Sequence, residues 1–301
     1  MTHQVEVRPL SDEDDWEDLA VGHPLTWLFP FWKSLTGIEI AWFTGLLDGR
    51  AVGIAAGCPL PYAADGHGVG AVNVRPEARR QGVGTALFEA TVDSVRGRVP
   101  GIQLNHAAVD APALAAAAAW GLRETGRHQE SVLDLTSLDR AAFEAKAAAP
   151  GVRIEPLPSF AEIDDEGWHE LYAFVNARYR EAPDAVGGEG LPYDEFRAMV
   201  SRPWMLATAR DAAGAYLGFT VVMDHAAKPH GTNTFFTGVV AEARGRGIAT
   251  ALKCHQALLM ADEGITSITT QNMEGNAPIL AANRTLGFVP DFVYVDVVRD
   301  L

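Results

Sequence analysis

The stretch Arg244-Gly245-Arg246-Gly247-Ile248-Ala249-Thr250 decides the fold, because it follows an apolar, strand-like run and opens a helix-like one. Glycine at a helix start lets a bulky group approach the backbone, and the first four N–H groups of a helix have no partner within it. The helix dipole makes that end positive, and the arginines add charge. The stretch therefore predicts a strand-to-helix loop that binds an anion with several oxygens, such as a pyrophosphate.

The same pattern occurs earlier in the chain. The stretch Arg79-Arg80-Gln81-Gly82-Val83-Gly84-Thr85 aligns with the later one at an offset of 165 residues. Val52-Gly53 matches Leu217-Gly218 at the same offset, and Trp120-Gly121-Leu122 matches Leu286-Gly287-Phe288 at 166. The chain is therefore an internal duplication. Neither stretch has the spacing of a nucleotide-binding P-loop or of a dinucleotide-binding glycine motif, which excludes those two classes.

A repeat of this length predicts two domains, each with its own core. We place an N-terminal domain at 1–140, a linker at 141–151 and a C-terminal domain at 152–301, because the alanine-rich linker ends in Pro150-Gly151. Strands alternate with helices in both copies, which predicts an α/β fold with a mixed sheet. Asp48-Gly49 is expected to turn a hairpin, and residues 181–191 to form an inserted loop. Residues 131–135 and 292–298 are each assigned as the closing strand of their own copy.

Composition narrows the function classes. The 24 basic and 39 acidic residues give a net charge of −15, which argues against nucleic acid and is compatible with a cationic small molecule. No apolar run approaches the roughly 20 residues needed to span a bilayer, and the first ten residues lack a signal-peptide layout, so we expect a cytoplasmic protein that does not bind membranes. Cys58 and Cys254 have no metal-ligand spacing, and we expect no metal.

The two arginine- and glycine-containing stretches resemble the Arg/Gln-x-x-Gly-x-Gly/Ala motif of the GNAT superfamily of N-acetyltransferases. The resemblance covers nearly the whole chain and implies two such domains in tandem, each a mostly antiparallel sheet with a splayed central strand pair flanked by helices. It implies that loop amides bind the pyrophosphate of acetyl-CoA and that the preceding strand pairs with pantetheine and polarises the thioester carbonyl. The residues so assigned are Val74, Arg79, Arg80, Gln81, Gly82, Val83, Gly84 and Thr85 in the first copy, and Val239, Val240, Arg244, Gly245, Arg246, Gly247, Ile248, Ala249 and Thr250 in the second.

A second block of the superfamily, Asn-x6-Tyr-x3-Gly-Phe, is partly present. The second copy has Asn276, Asn283 and Gly287-Phe288 at this spacing, so the resemblance assigns Asn276 to the pantetheine arm and puts Asn283 where a tyrosine usually protonates the leaving thiolate. The first copy has Asp110 and Ala117 at the two polar positions. Three interpretations stay open: a weaker acid such as water, a substitute such as Tyr294, or no catalysis.

Direct attack on acetyl-CoA requires a neutral amine, so a side chain or a water must accept a proton. No base can be assigned from the sequence. The candidates are Asp224, His225, His230 and, beside Tyr179, Glu181 and Asp184 in the second copy, and His67, Asn105 and His106 in the first.

The leading hypothesis is an enzyme that moves an acetyl group from acetyl-CoA to a primary amine of a small molecule, with the chemistry in the C-terminal domain. The N-terminal domain is expected to be degenerate, because an acid at Asp110 would repel an anionic cofactor. The alternatives are a non-catalytic acyl-CoA-binding or scaffold protein and a protein N-acetyltransferase.

Overall fold

The computed structural model describes residues 3–23, 28–34, 39–59, 66–108, 111–148, 152–181 and 192–301. The chain divides into two compact units, one of residues 1–128 with 293–301 and one of residues 129–292. Within the described ranges, no helix has the length and apolar character that a membrane span requires.

In the first unit, one long helix packs against the sheet. Its strands are β1 (Val5–Pro9), β2 (Ala41–Leu47), β3 (Arg50–Cys58), β4 (Gly68–Val74) and β5 (Gly101–Ala108), and β6 (Arg123–Asp134) begins in it. Its helices are α1 (Trp16–Ala20), α2 (Leu28–Ser34), α3 (Val83–Val95) and α4 (Ala111–Ala119).

The second unit repeats this plan. Its elements are α5 (Arg140–Ala147), β7 (Arg153–Pro156), α6 (Asp165–Arg180), α7 (Tyr193–Met199), β8 (Leu206–Arg210), β9 (Tyr216–Asp224), β10 (Gly231–Val239), α8 (Ile248–Asp262), β11 (Ser267–Met273) and α9 (Ala277–Thr285). The last strand, β12 (Val289–Asp300), begins in this unit. The alternating strands and helices confirm the predicted α/β fold with mixed sheets.

Each unit takes one strand from the part of the chain that the repeat assigns to the other copy. The first sheet has the order β1-β2-β3-β4-β5-β12, with β12 antiparallel to β5 from Tyr294 to Asp300. The second has the order β6-β11-β10-β9-β8-β7. The assignment of residues 131–135 and 292–298 as closing strands of their own copies is therefore wrong. A strand pattern fixes which face is buried, and it carries no information on which neighbour the strand pairs with.

In both units the central parallel pair of strands diverges. β4 pairs with β5 only from Gly68 to Gly70, and β10 pairs with β11 only from Gly231 to Thr234. The remaining length of β4 and β10 keeps its antiparallel partner on the other side. One edge of each strand is therefore left unpaired, which is the splayed arrangement that the resemblance implies.

The predicted hairpin turn is confirmed. Asp48 and Gly49 join β2 to β3 with φ angles of 50° and 80°, the left-handed pair that a two-residue turn requires. The turn sets the register between β2 and β3. On its other side, β3 pairs with β4. The start of α3 follows from β4 through the first arginine-containing loop.

A buried carboxylate ties β1 to the chain that follows it. Asp14 has a side chain only 5% exposed and accepts hydrogen bonds from both Arg8 guanidinium Nη atoms, at 2.7 and 2.8 Å, and from Thr44 Oγ1 at 2.9 Å. The hydrogen bonds from Arg8 hold the pKa of Asp14 well below its usual range. The charged form is therefore the one that stabilises the folded unit.

We expect Asp14→Asn, which keeps the shape and removes the charge, to lower the unfolding free energy of the first unit by about 2 kcal/mol at pH 7. Because the folded pKa lies below the unfolded value of about 3.9, this contribution is present above that pH and disappears as the pH falls below it. Urea unfolding at pH 7, 4 and 2, followed by hydrogen exchange in residues 41–58, measures it. Asp93→Asn, which removes an exposed ion pair with Arg96, is the control. A stability difference that is the same at all three pH values contradicts the assignment.

Candidate functional site

The loop between β10 and α8 exposes backbone at the start of a helix. After Val239 the chain makes a 3-10 turn at Ala241–Ala243, and Gly245 and Gly247 then adopt left-handed φ angles of 76° and 80°. A Cβ atom built at either glycine would meet nothing within 4 Å. The backbone here is open to a ligand, and the glycines are needed because their φ angles strain any other residue.

The amides of this loop have no hydrogen-bond acceptor in the part of the chain that the structure describes. Within the described ranges, no acceptor is found for the N–H groups of residues 245–250, and the first helical bond runs from Ala251 N–H to the Gly247 carbonyl at 2.9 Å. Several N–H groups at the positive end of a helix suit an anion with several oxygens. The geometry fits the pyrophosphate contacts that the resemblance assigns to Ile248, Ala249 and Thr250.

The arginines of the two loops divide into two pairs. Arg79 Nε donates to the Val74 carbonyl at 2.9 Å, and Arg244 Nε donates to the Val239 carbonyl at 3.2 Å. These two arginines fasten the loop to the end of its strand, and Arg244 also contacts Glu181. Arg80 and Arg246 are exposed and make no ion pair within the described ranges. The second pair is thus available to a phosphate.

The first loop has the same path with a more crowded helix start. Gly82 has a φ of 91°, and Arg80, at the position of Gly245, is left-handed at 63°. Gln81 donates to the Glu77 carbonyl, so its amide is used within the loop. Trp120 lies against the first turn of α3, with its indole N–H donating to Thr85 Oγ1 at 3.1 Å and its ring 3.4 Å from a Cβ built on Gly84.

The two splayed strands also differ. β10 has a β-bulge between Thr234 and Phe236, where it parts from β11, whereas β4 pairs with β3 without interruption. A bulge leaves one residue, here Phe235, outside the regular ladder and turns its backbone away from the partner strand. The second unit therefore has both an open edge and free backbone groups where a pantetheine arm would lie.

The two asparagines of α9 have different surroundings. Asn276 precedes the helix and is half-buried, and its side chain makes no capping bond. Asn283 is 2% exposed and is fully engaged, because its Oδ1 accepts from Lys253 Nζ at 2.8 Å and its Nδ2 donates to Asn272 Oδ1 at 2.8 Å. Lys253 and Asn272 could not be identified from the sequence, because they lie 30 and 11 residues from Asn283 and no spacing motif joins them to it.

Tyr294 belongs to the first unit. It lies in the part of β12 that pairs with β5, is 8% exposed and stacks on His128 with ring centroids 4.9 Å apart. His128 Nε2 in turn lies 2.6 Å from Asp296 Oδ2. The phenol is thus placed in the unit that lacks the second copy's asparagines, and its role as a substitute acid stays a prediction.

The candidate bases at the end of β9 lie beside the paired end of β10, away from the divergence. Asp224, opposite Thr232, forms an ion pair with Arg202. His225 is buried, and desolvation, followed by the charge of Lys228, lowers its pKa to about 4. Its imidazole is therefore uncharged near neutral pH, with Nδ1 accepting from the Ala227 N–H at 3.1 Å.

The other candidates are more scattered. His230 is a left-handed turn residue whose carbonyl accepts from Thr266. Glu181 pairs with Arg178 at 2.6 Å as well as with Arg244. In the first unit, His67 is buried with Nε2 3.7 Å from Asp300. Asp184 and Asp110, and the side chains of Asn105 and His106, lie outside what the structure describes.

Tyr179, which lies beside the candidate base Glu181 in the sequence, contacts the β-bulge of β10. Tyr179, near the end of α6, stacks on Phe235 with ring centroids 5.6 Å apart and contacts Phe236 edge-on. Desolvation by burial raises the pKa of Tyr179, so its hydroxyl stays protonated near neutral pH. These rings form an aromatic wall where the central strands part.

Comparisons with known proteins agree with this geometry. Residues 9–121 match the Acetyltransferase (GNAT) family. Residues 9–121 therefore form an acetyltransferase domain of the GNAT family, and the splayed sheets and the repeated loop give the chain the fold of a tandem GNAT protein, as the resemblance implied.

Individual relatives and solved structures are similar to most of the chain. The chain is 29% identical over 253 residues to a mycothiol acetyltransferase of Clavibacter michiganensis, covering 80% of this chain and 74% of the relative. It shares its fold with a GCN5-related N-acetyltransferase from Sphaerobacter thermophilus (TM-score 0.76, 16% identity, 98% and 95% of the two chains). It also shares its fold with a tandem GNAT protein from the clavulanic acid biosynthesis pathway (TM-score 0.71, 23% identity, 99% and 98%).

Proposed function

We propose that the chain transfers the acetyl group of acetyl-CoA to the primary amine of a small molecule, and that the second unit carries out the reaction. The observation that supports this most strongly is the loop at residues 244–250. Its unsatisfied amides begin α8 directly after a strand whose free edge and bulge can receive the rest of the cofactor. A pyrophosphate and a thioester arm need these two features side by side.

The contrast between the units supports the choice of the second. The first loop carries Trp120 against the opening turn of its helix, and its strand β4 has no bulge. The first copy also has the apolar Ala117 where the second has Asn283. The first unit keeps the shape of a pyrophosphate loop and has fewer polar groups for chemistry.

Direct attack fits the groups present. The amine lone pair attacks the thioester carbon, the C–S electron pair leaves with sulfur, and the amine proton passes to water or to a base. A thiol pKa near 8.5 makes the thiolate a fair leaving group without a strong acid. Asn283 cannot act as a general acid, because an amide does not release a proton near neutral pH and both of its polar atoms are already hydrogen-bonded.

The acceptor is proposed to be a small molecule rather than a protein. The relatives are named for mycothiol, a small molecule. The aromatic wall of Tyr179 and Phe235 offers apolar faces against which a compact acceptor can pack. The net charge of −15 favours an amine that arrives as a cation and loses its proton in the site.

The test is amine-dependent release of thiol from acetyl-CoA. We expect one class in a panel of glucosamine, cysteine, spermidine and a short peptide with a free N-terminus to raise the rate at least about tenfold over buffer. The acetylated product is identified by mass spectrometry, and boiled protein is the control. A response only to the peptide would support the protein N-acetyltransferase alternative. Tight CoA binding with no release for any amine would contradict the proposed reaction.

A further inference from the structure

The second unit contains a buried lysine that has no carboxylate partner among the residues the structure describes. Lys253 lies in α8, is 6% exposed, and donates from Nζ to Asn283 Oδ1 at 2.8 Å. The ring of Phe288 lies 5.3 Å from the same nitrogen. Desolvation by burial lowers the pKa of Lys253 to about 8. Burying an ammonium group is costly, so a lysine held in this way requires a reason beyond packing.

The lysine fixes the direction of a chain of hydrogen bonds. An ammonium group only donates, so the atom of Asn283 that faces it must be the carbonyl oxygen. The amide nitrogen of Asn283 then faces Asn272 and must meet its carbonyl oxygen, at 2.8 Å. It follows that the Asn272 nitrogen, with its two N–H bonds, points away from Asn283. The usual ambiguity between amide oxygen and nitrogen is removed by chemistry.

The free end of this chain lies where the central strands part. Asn272 is in β11, two residues beyond Thr270, the last residue of β11 that pairs with β10. It is half-buried, and within the described ranges no acceptor is found for its Nδ2. Lys253 lies about 9 Å along the axis of α8 from Gly247, at 1.5 Å per residue. The open loop therefore leads into the same helix that contains Lys253, where the series of hydrogen bonds begins.

Folding alone does not require the hydrogen bonds that link Lys253, Asn283 and Asn272. At the matching positions the first unit has Phe88 and Ala117, which are 0% and 5% exposed. Phe88 stacks on Trp120 with ring centroids 4.7 Å apart, so the same helix pair closes with apolar groups. Apolar side chains of similar size are commonly no worse for stability than a buried polar set.

We propose that Lys253, acting through Asn283, orients the Asn272 carboxamide so that one of its N–H bonds donates to the sulfur of the acyl donor as the C–S bond breaks. This rests on the proposed function, with acetyl-CoA bound in the second unit. The C–N bond forms from the amine lone pair, the C–S electron pair stays on sulfur, and the amine proton goes to water. Asn272 gives a hydrogen bond and transfers no proton. Asn272 is the catalytic residue, and Lys253 and Asn283 are positioning residues.

The kinetic test is a double-mutant cycle on the full chain with acetyl-CoA and the best amine of the panel. We expect Asn272→Ala to lower kcat about 30-fold with little change in KM, because the bond forms mainly as charge develops on sulfur. Lys253→Met is expected to lower kcat about 10-fold, and the double variant to match Asn272→Ala alone. A purely structural lysine would instead lower the melting temperature and cost activity in both backgrounds, which overturns the proposal.

The control variant is Lys146→Met. Lys146 also donates to α9, from Nζ to the Thr285 carbonyl at 2.8 Å, but it is exposed and outside the chain of asparagines. Its removal is expected to leave kcat within about twofold. An equal loss in this variant would assign the effect to the anchoring of α9 rather than to the orientation of Asn272.

A binding test does not depend on turnover. Titration calorimetry at pH 7, where Lys253 is mostly charged, compares CoA with desulfo-CoA, which has hydrogen in place of the thiol. We expect the protein to bind CoA at least about threefold more tightly, and this preference to vanish in Asn272→Ala and in Lys253→Met. A preference that survives both changes overturns the inference and leaves the proposed function standing. If neither ligand binds, the proposed function and the inference both fail.

Discussion

Replacing Gly247 with glutamate is expected to lower kcat/KM at least about 100-fold. The carboxylate would lie at the start of α8 among the amides that lack acceptors, where the pyrophosphate is proposed to bind. Two like charges about 4 Å apart repel by about 4 kcal/mol at an effective dielectric constant near 20, and solvent screening reduces this. The measurement is thiol release as a function of acetyl-CoA concentration, with CoA binding followed by calorimetry.

The matched control for this change is Gly264→Glu. Gly264 follows the other end of α8, has a left-handed φ of 78°, and has no atom within 4 Å of a built Cβ. Glutamate there introduces the same charge and the same backbone strain, on the order of 1 kcal/mol, far from the loop. We expect similar melting temperatures for the two variants and kinetics within about twofold of the unmodified protein for Gly264→Glu. Equal losses of activity would show that strain, and not repulsion, causes the effect.

Gly82→Glu compares the two units directly. Gly82 begins α3 with a φ of 91°, so the substitution again places a carboxylate at a helix start. If the chemistry takes place in the second unit, Gly247→Glu must cause the larger loss of kcat/KM. The reverse order would assign the reaction to the first unit and would contradict the proposed function.

The loops could be predicted because their information is local. The glycine at a left-handed position and the nearby arginines lie within seven residues, an apolar run flanks them on each side, and the pattern occurs twice. The role of each arginine could not be predicted in the same way. Arg79 and Arg244 turn back onto the carbonyl of their own strand, and Arg80 and Arg246 do not. That difference depends on side-chain direction, which residue order alone does not contain.

The hydrogen bonds that link Lys253, Asn283 and Asn272 could not be predicted from the sequence for a different reason. These residues come from α8, α9 and β11, and no spacing motif links them. A lysine in an otherwise apolar helix face is most simply interpreted as reaching the solvent. Asn283 of α9 and the ring of Phe288, which follows that helix, contact its ammonium group. The pairing of β6 and β12 could not be predicted for the same reason. Their sequences are those of ordinary closing strands and do not indicate which strand lies beside each of them.

Because β12 completes the sheet of the first unit, the stability of that unit depends on the last residues of the chain. Val295 in β12 is 0% exposed and packs in one cluster with Phe88 and Ile102. We expect Val295→Asp to lower the unfolding free energy of the first unit by at least about 4 kcal/mol, since it buries a carboxylate among apolar groups without a partner. Hydrogen exchange in α3, compared with α8 of the second unit, measures where the loss falls.

Val289→Asp is the control on the same strand. Val289 is 65% exposed, so the same substitution there is expected to change stability by less than about 0.5 kcal/mol. We expect Val295→Asp to accelerate exchange in α3 and to leave α8 protected. Faster exchange in α8 with α3 unchanged would place the final strand in the core of the second unit instead. The register of β12 on β5, from Tyr294 to Asp300, predicts the first outcome, because removing this strand exposes Leu104 and Ile102 on the edge of the first sheet.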